Sequence, residues 1–470
     1  MIRSDRPNIL FVMSDDHASH AMSCYGSRIN RTPNLDRIAD EGMRFDNCFC
    51  TNGICTPSRA AILTGTYNHV NGVTTLSTHM DNRLTTYPKL LREAGYQTAI
   101  FGKWHLGQGP AHEPAGFDDW CVLPGQGLYH SPVMIDPGGK RVHVGYVTDV
   151  ITDMSLQWLR NRDRSRPFAL MVHHKAPHRE WEPDAAHAQM YEDEEIPEPE
   201  TFDDDYRNRS AAPAAARMRM EDLQWKDLKA DVPSGLSPAE ERSWRYQRYI
   251  KDYLRVVAAV DDNVGRLLDY LDREGLAEDT LVIYTSDQGF FLGDHGWFDK
   301  RFMYEESLRM PFVARLPREV KAGTTCDEFV LNVDFAPLFL DLAGVAVPDE
   351  FQGRSFRPLL HGETPPDWQR SMYYRYWMHG DGNHNVYAHY GVRTHRHKLI
   401  HFYNDGCGQP GSGEERHPPE WELFDLQADR NELRSLYHDE AHAAVRRELT
   451  DELHRLQAAV GDERYPLDDG

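Results

Sequence analysis

Two aspartates, Asp15 and Asp16, follow the apolar run NILFVM (8–13), and Asp287 and Gln288 follow TLVIYTS (280–286). Three carboxylates and an amide oxygen are hard donors, the set that suits Ca2+ or Mg2+ and not zinc. Gathered without a counter-charge they would repel one another, and a divalent cation removes that repulsion. An aspartate after a strand also caps the next helix, so either member of the first pair has a simpler use. Lys103 and His105, in GKWH, come after TAIF (98–101), and His178, in KAPHREW, comes after PFALMVHH (167–174). Each of four strand-length runs thus ends in groups that bind metals, anions or protons.

The stretch NGICTPSRAAILTGTY (52–67) adds a nucleophile. Pro57 suits the first turn of a helix, and SRAAILTG reads helical up to Gly65. Cys55 then sits at a helix N-terminus, where free N–H groups favour anions and lower a thiol pKa, with the fixed cation Arg59 one turn on. A thiolate nucleophile is one reading. A thiolate is a poor match for Ca2+ among oxygen ligands, and an oxygen nucleophile fits better. The seven cysteines (24, 48, 50, 55, 121, 326, 407) are scattered, and no CxxC pair makes Cys48, Cys50 and Cys55 a zinc site.

These groups must be positioned by a fold. Strand-length apolar runs alternate with helix-like segments, the pattern of an α/β protein with a large, mostly parallel sheet flanked by helices. An amphipathic helix is expected near 246–274, and MPFVARLP (310–317) adds an edge strand. The catalytic domain spans 1–365. Within it, 191–242 is acidic and proline-bearing, a surface insertion to which no chemistry is assigned. Residues 366–470 form a smaller C-terminal subdomain: MYYRYWMH, AHYGVRT, HKLIHFY and WELFDLQ read as antiparallel strands, followed by a helix at 440–459. In open α/β sheets ligands sit beyond the carboxyl ends of parallel strands, where the groups above collect.

The formal charge of −22 over 470 residues argues against nucleic-acid and acidic-membrane partners, and leaves room for a local cationic pocket. No stretch has the length of a membrane span. The N-terminus MIRSDRPNILFVMSDD lacks the pattern of an export signal, so a cytoplasmic protein is expected, or a periplasmic or secreted one if the chain is a mature form.

CTPSRAAILTG resembles the signature of the type I sulfatases, within the alkaline phosphatase superfamily: Cys-x-Pro-Ser-Arg, then four residues, then Thr-Gly. The resemblance extends through PNILFVMSDD, GKWHLG, APH and TSDQGFFLGDHGWFDKR, and through the C-terminal region in HYGVRTHRHKLIHFY and WELFDLQADRNEL. It implies an alkaline-phosphatase-like fold and an enzyme that hydrolyses sulfuric esters. It implies that Asp15, Asp16, Asp287 and Gln288 bind Ca2+, with Gln288 in place of the commoner asparagine. Cys55 would be oxidised to 3-oxoalanine (formylglycine) by a formylglycine-generating or sulfatase-maturating enzyme, and would also touch the metal. In this scheme Arg59 polarises a hydroxyl of the hydrated aldehyde, and Lys103, His178 and Lys300 contact the sulfate. His178, assisted by Lys300, protonates the departing oxygen, and His105 takes the proton that releases sulfate.

The segment SDQGFFLGDHGWFDKRFMYEESLRMPF is most similar to bacterial enzymes acting on sulfated amino sugars, such as N-acetylglucosamine-6-sulfatases, so the implied substrate is a 6-O-sulfated N-acetylglucosamine or a related fragment. Asp381, His384 and His389 then stand as sugar contacts or as members of a solvated polar loop, and Trp181 as a sugar platform or a buried aromatic. Two other functions share most of these features. One is a phosphonate monoester or phosphodiester hydrolase. The other is a non-catalytic sulfated-glycan binding protein that keeps Cys55 as a thiol.

Overall fold

The computed structural model describes residues 6–466; of the N-terminal stretch read above, residues 1–5 lie outside them. Ten strands form one sheet in the order Thr324–Cys326, Met43–Phe45, Phe312–Arg315, Thr280–Ser286, Asn8–Ser14, Phe168–His173, Gln97–Lys103, Asp119–Leu123, Val133–Asp136, Gly139–Val142. The four strands that precede the chemistry-bearing residues are central, adjacent and parallel. All four therefore end on the same edge, which is why groups more than 270 residues apart in sequence meet in space. Alternate residues of the central strand face opposite sides. Ile9, Phe11 and Met13 enter one core, and Leu10 and Val12 the other. A strand buried on both faces reads as an unbroken apolar run, as NILFVM does.

The long helix is Pro238–Arg273, eight residues longer at its start than the apolar periodicity indicates. Ser237 caps it by accepting from the Glu240 N–H, in a capping box that also engages the Glu240 side chain, with proline at the first turn. Those first turns are highly charged and carry no apolar stripe. The helix also serves the site: the Tyr253 hydroxyl donates to the Asp16 carbonyl (2.8 Å) and accepts from Ala18 N–H (2.9 Å).

Phe312–Arg315 is not an edge strand as expected, because it pairs with Thr280–Ser286 on one side and with Met43–Phe45 on the other. The second partner is only three residues long, too short for any periodicity to announce. The 191–242 segment is also less peripheral than its composition suggests. Most of its glutamates are exposed, but Phe202, Met218, Met220 and Leu223 are buried, and the Met218 carbonyl accepts a hydrogen bond from Phe298 N–H at 2.9 Å.

A four-stranded antiparallel sheet, Ser371–Tyr376, His389–Thr394, His397–Phe402 and Glu420–Asp425, follows with the helix Ala443–Val460 against it. It is fastened to the larger sheet's loops by a buried ionic knot. Lys398 lies 2.9 Å from Glu305 and 2.7 Å from Glu432, and Arg393 grips Glu305 at 3.1 Å. Among the described residues no helix is long and apolar enough to cross a membrane.

Candidate active site

Cys55 opens the helix Cys55–Thr64, as the proline placement indicates. The Ser58 hydroxyl donates to the Asp287 carbonyl and accepts from Asn332 Nδ2 (2.9 Å), pinning the helix to the sheet edge. The thiol is not activated. Burial pushes Cys55 up to about 12, and Asp287 and Asp16 add to that against Lys300 and Arg59. The lowering expected from the helix N-terminus is overturned, because Cys55 is 1% exposed and desolvation of a thiolate outweighs the helix end.

Around it the predicted residues assemble. His105 Nδ1 lies 3.1 Å from Cys55 Sγ. Arg59 donates from Nε to Asp287 Oδ2 (2.9 Å) and from Nη1 to the Lys103 carbonyl (2.9 Å), leaving Nη2 buried with no partner. Lys103 contacts Asp15, and Lys300 donates to Asp16 Oδ2 at 2.6 Å. Gln288 Nε2 donates to Asp16. His178 donates from Nδ1 to the Arg179 carbonyl (2.6 Å), and its Nε2 is 3.8 Å from Asp16 Oδ2.

The acidic group is under electrostatic load. Burial lifts Asp16 to about 6 against the pull of Lys300, with Asp287 and Asp299 adding to the rise. Asp15 Oδ1 and Gln288 Oε1 are buried oxygens with no hydrogen-bond donor. Asp15, Asp16 and His178 each offer a ligand atom within 4.8 Å of the others. Orphaned hard oxygens beside crowded carboxylates are what a divalent cation satisfies, so the residues present fit Ca2+ or Mg2+. All seven cysteines are free.

The site opens into a cavity of about 510 Å3 whose lining includes Cys55, His178 and Lys300. His384 lines it too, with Asp299 and Arg301, two residues on either side of Lys300 that sequence reasoning passed over. The adjacent opposite charges of DKR in a loop after Gln288 were the available signal. Arg301 Nε lies 3.1 Å from Asp299 Oδ1, and His384 Nε2 lies 3.4 Å from Asp299 Oδ2. Asp381 stands behind, 3.0 Å from His384 Nδ1 and 3.7 Å from Arg301 Nη1, so it orients the wall instead of lining it.

Of the two readings of Trp181 the buried aromatic holds, and the sugar contact read for His389 is corrected. Trp181 is fully buried, its ring 4.6 Å from that of Tyr249. His389 is fully buried among Phe302, Tyr374, Tyr376 and Phe402, with Nε2 accepting from Met303 N–H (3.1 Å) and Nδ1 2.7 Å from the Tyr387 carbonyl. Burial pulls it down to about 3, so it is a neutral core histidine.

Asp381 yields a pH prediction. Burial works to raise its carboxyl, but Arg301 and then His384 outweigh burial and hold it at about 2, against an ordinary 3.8. A depressed folded value means stability that is complete above the unfolded pKa and lost as pH falls through the folded one. The shift corresponds to about 2 kcal/mol. The stability gap between the wild type and Asp381→Asn in urea unfolding is therefore expected to narrow by about that amount from about pH 5 to about pH 2. A gap that stays constant contradicts this.

Residues 7–345 match the family model for sulfatases, and residues 293–459 match that for the C-terminal region of N-sulphoglucosamine sulphohydrolase. The chain belongs to the sulfatase family, and it is an enzyme of that class. It is 43% identical to an N-acetylglucosamine-6-O-sulfatase of Bacteroides thetaiotaomicron over 97% of this chain and 87% of that one, and 26% identical to an arylsulfatase of Clostridium perfringens over 93% and 91%. A solved structure of a 43% identical protein, in complex with its substrate D-glucosamine-2-N,6-O-disulfate, superimposes with a TM-score of 0.89 over 97% of this chain and 98% of that one. A phosphonate monoester hydrolase of Agrobacterium radiobacter, 23% identical, shares the fold with a TM-score of 0.76 over 97% and 96%.

Proposed function

We propose that this sulfatase removes the 6-O-sulfate of glucosamine, N-acetylated or otherwise N-substituted, from small sulfated glycan fragments. The observation that carries the reading is one cavity that joins Cys55, His178 and Lys300 to a polar wall of Asp299, Arg301 and His384, in a chain 43% identical to a relative named for that reaction.

Asp15, Asp16, Asp287 and Gln288 would hold Ca2+, with Mg2+ the alternative, and the ion would draw negative charge from the sulfate oxygens. Cys55, oxidised to formylglycine by a maturation enzyme, would supply a hydroxyl as nucleophile; the thiol itself, at about 12, is a poor one. The Cys55 side chain marks where the attacking group sits, and the protein's own residues do the rest. Arg59 has a free Nη2 with which to orient and polarise that group. Lys300, buried, offers fixed positive charge to the ester, whose charge shifts towards the leaving oxygen in the transition state, and Lys103, which burial pulls well below the ordinary lysine value, stands beside it as a hydrogen-bond donor.

His105 is held well below the ordinary histidine value by burial, then by Lys103 and Arg59, so it is neutral and takes a proton at Nδ1. His178 is lowered too, by burial, then by Lys103 and Lys300. A bound sulfate ester brings negative charge to its Nε2 and opposes that bias, which lets His178 carry the proton destined for the departing oxygen. Burial would pull Lys300 down, but Asp16 and Asp299 hold it above the ordinary lysine value, so it stays charged beside His178.

A desulfation screen over defined monosulfated sugars, with an aryl sulfate, choline sulfate and an aryl phosphonate alongside, tests this. The expected result is a preference for 6-sulfated glucosamine of at least about tenfold in kcat/KM, the scale of one lost polar contact. Turnover confined to choline sulfate, simple aryl sulfates or the phosphonate overturns it.

A further inference from the structure

We infer that Lys175, with Arg217 at the cavity mouth, forms a subsite for a second anionic group of the substrate, distinct from the scissile sulfate. The group is a sulfamate on the same ring or a carboxylate on the neighbouring one. The inference rests on the glucosamine-sulfate reading above.

Lys175 is delivered to the cavity lining by the strand Phe168–His173 and is 3% exposed. Its ammonium donates to the Arg179 carbonyl at 3.0 Å and lies 4.6 Å from the centroid of the Tyr129 ring. Among the described residues no carboxylate contacts it, and Glu180, Asp16 and Glu182 act on it only from further off, whereas Lys103 and Lys300 contact Asp15 and Asp16. An ammonium has three donors, and a buried cation whose nearest carboxylates stand outside contact gains from an anion that reaches its remaining donors. Burial pulls Lys175 down to about 8, so it remains mostly charged at neutral pH while desolvated, the condition under which an anion gains most.

Arg217 comes from the 191–242 segment. Its backbone N–H donates to the His384 carbonyl at 2.7 Å, which fixes it to the polar wall, and its exposed guanidinium has no ion-pair partner among the described residues. The other cations of the outer lining are engaged: Arg179 with Asp227, Lys226 with Glu180 at 3.2 Å, Arg301 with Asp299. Lys175 and Arg217 are thus the ones without a contact ion pair among the described residues. Glu182 and Asp222 share the lining, so the surface does not attract polyanions generally and favours one well-placed negative group. About 510 Å3 is room for a substituted sugar and part of its neighbour. The solved relative's substrate carries such a second anion on its nitrogen.

The test compares kcat/KM for three substrates: N-acetylglucosamine 6-sulfate, N-sulfoglucosamine 6-sulfate, and a disaccharide in which a uronate adjoins N-acetylglucosamine 6-sulfate. The enzymes are wild type, Lys175→Met, Lys175→Arg and Arg217→Ala. The ratio of a dianionic substrate to the N-acetyl monosaccharide is expected to fall about tenfold in Lys175→Met, the scale of one charge-assisted hydrogen bond. It falls less in Arg217→Ala and recovers in part in Lys175→Arg. A fall confined to the sulfamate arm places the subsite on the same ring; one confined to the uronate arm places it on the neighbour. Because each ratio is taken within one variant, loss of folded protein cancels. Ratios unchanged in an active enzyme overturn the subsite alone, as does an equal fall on all three substrates. A wild type that turns over none of the three overturns the glucosamine reading with it.

Discussion

Replacing Cys55 with alanine is expected to reduce sulfate-ester turnover by about four orders of magnitude or more, the scale seen when an enzyme loses the group that forms and breaks the bond. Cys55 opens its helix 3.1 Å from the base candidate His105, and on the lining of the cavity that also holds His178 and Lys300. Its side chain is small and its helix is anchored elsewhere, through Ser58 to Asp287 and Asn332. The folded state should therefore survive: removing one small buried atom costs about 1 kcal/mol, about 1 °C in Tm for a chain of this length. Loss of turnover with a near-native melting curve is the expected pair of results. A variant that keeps more than a small fraction of the wild-type rate removes Cys55 from the chemistry.

Chelation of divalent cations should have the second largest effect, roughly a thousandfold or more in kcat, corresponding to the several kcal/mol a Lewis acid supplies. The physical reason is that burial, with Asp287 and Asp299 adding to it against Lys300, lifts Asp16 to about 6, while Asp15 Oδ1 and Gln288 Oε1 are left without donors. Ca2+ added back should restore the rate. It should also raise the Tm in a concentration-dependent way, because a ligand that binds only the folded form stabilises it by mass action. The melting shift is independent of catalysis and isolates binding from mechanism. Asp287→Ala should abolish it, since that change removes an oxygen and also strands the 2%-exposed Arg59 guanidinium. Full activity after exhaustive chelation, with no Ca2+-dependent shift, contradicts the assignment.

Much of this site is legible in the chain because it depends on strands. Four apolar runs bounded by charged or polar residues announce their ends, and parallel pairing places those ends together. What the chain hides is whatever depends on loop packing. Arg217 and Lys226 lie in a polar segment without periodicity and reach the cavity only through contacts such as Arg217 N–H to the His384 carbonyl. Trp181 and His389 are residue types that often bind sugars, and nothing local indicates that both are sealed in the core. The Cys55 thiol shows the same limit in energy terms: the helix end is readable, but the burial that reverses its effect is a property of the whole fold.

The central claim is that the nucleophile is an oxygen group made from Cys55 and not the thiol. Mass spectrometry of the Cys55-bearing peptide, taken from active enzyme purified from its native host and normalised to active-site titre, tests it most directly. The prediction is an aldehyde in place of the thiol, in a fraction that rises and falls with specific activity across preparations. A fully active preparation whose Cys55 peptide carries only the unmodified thiol would contradict it.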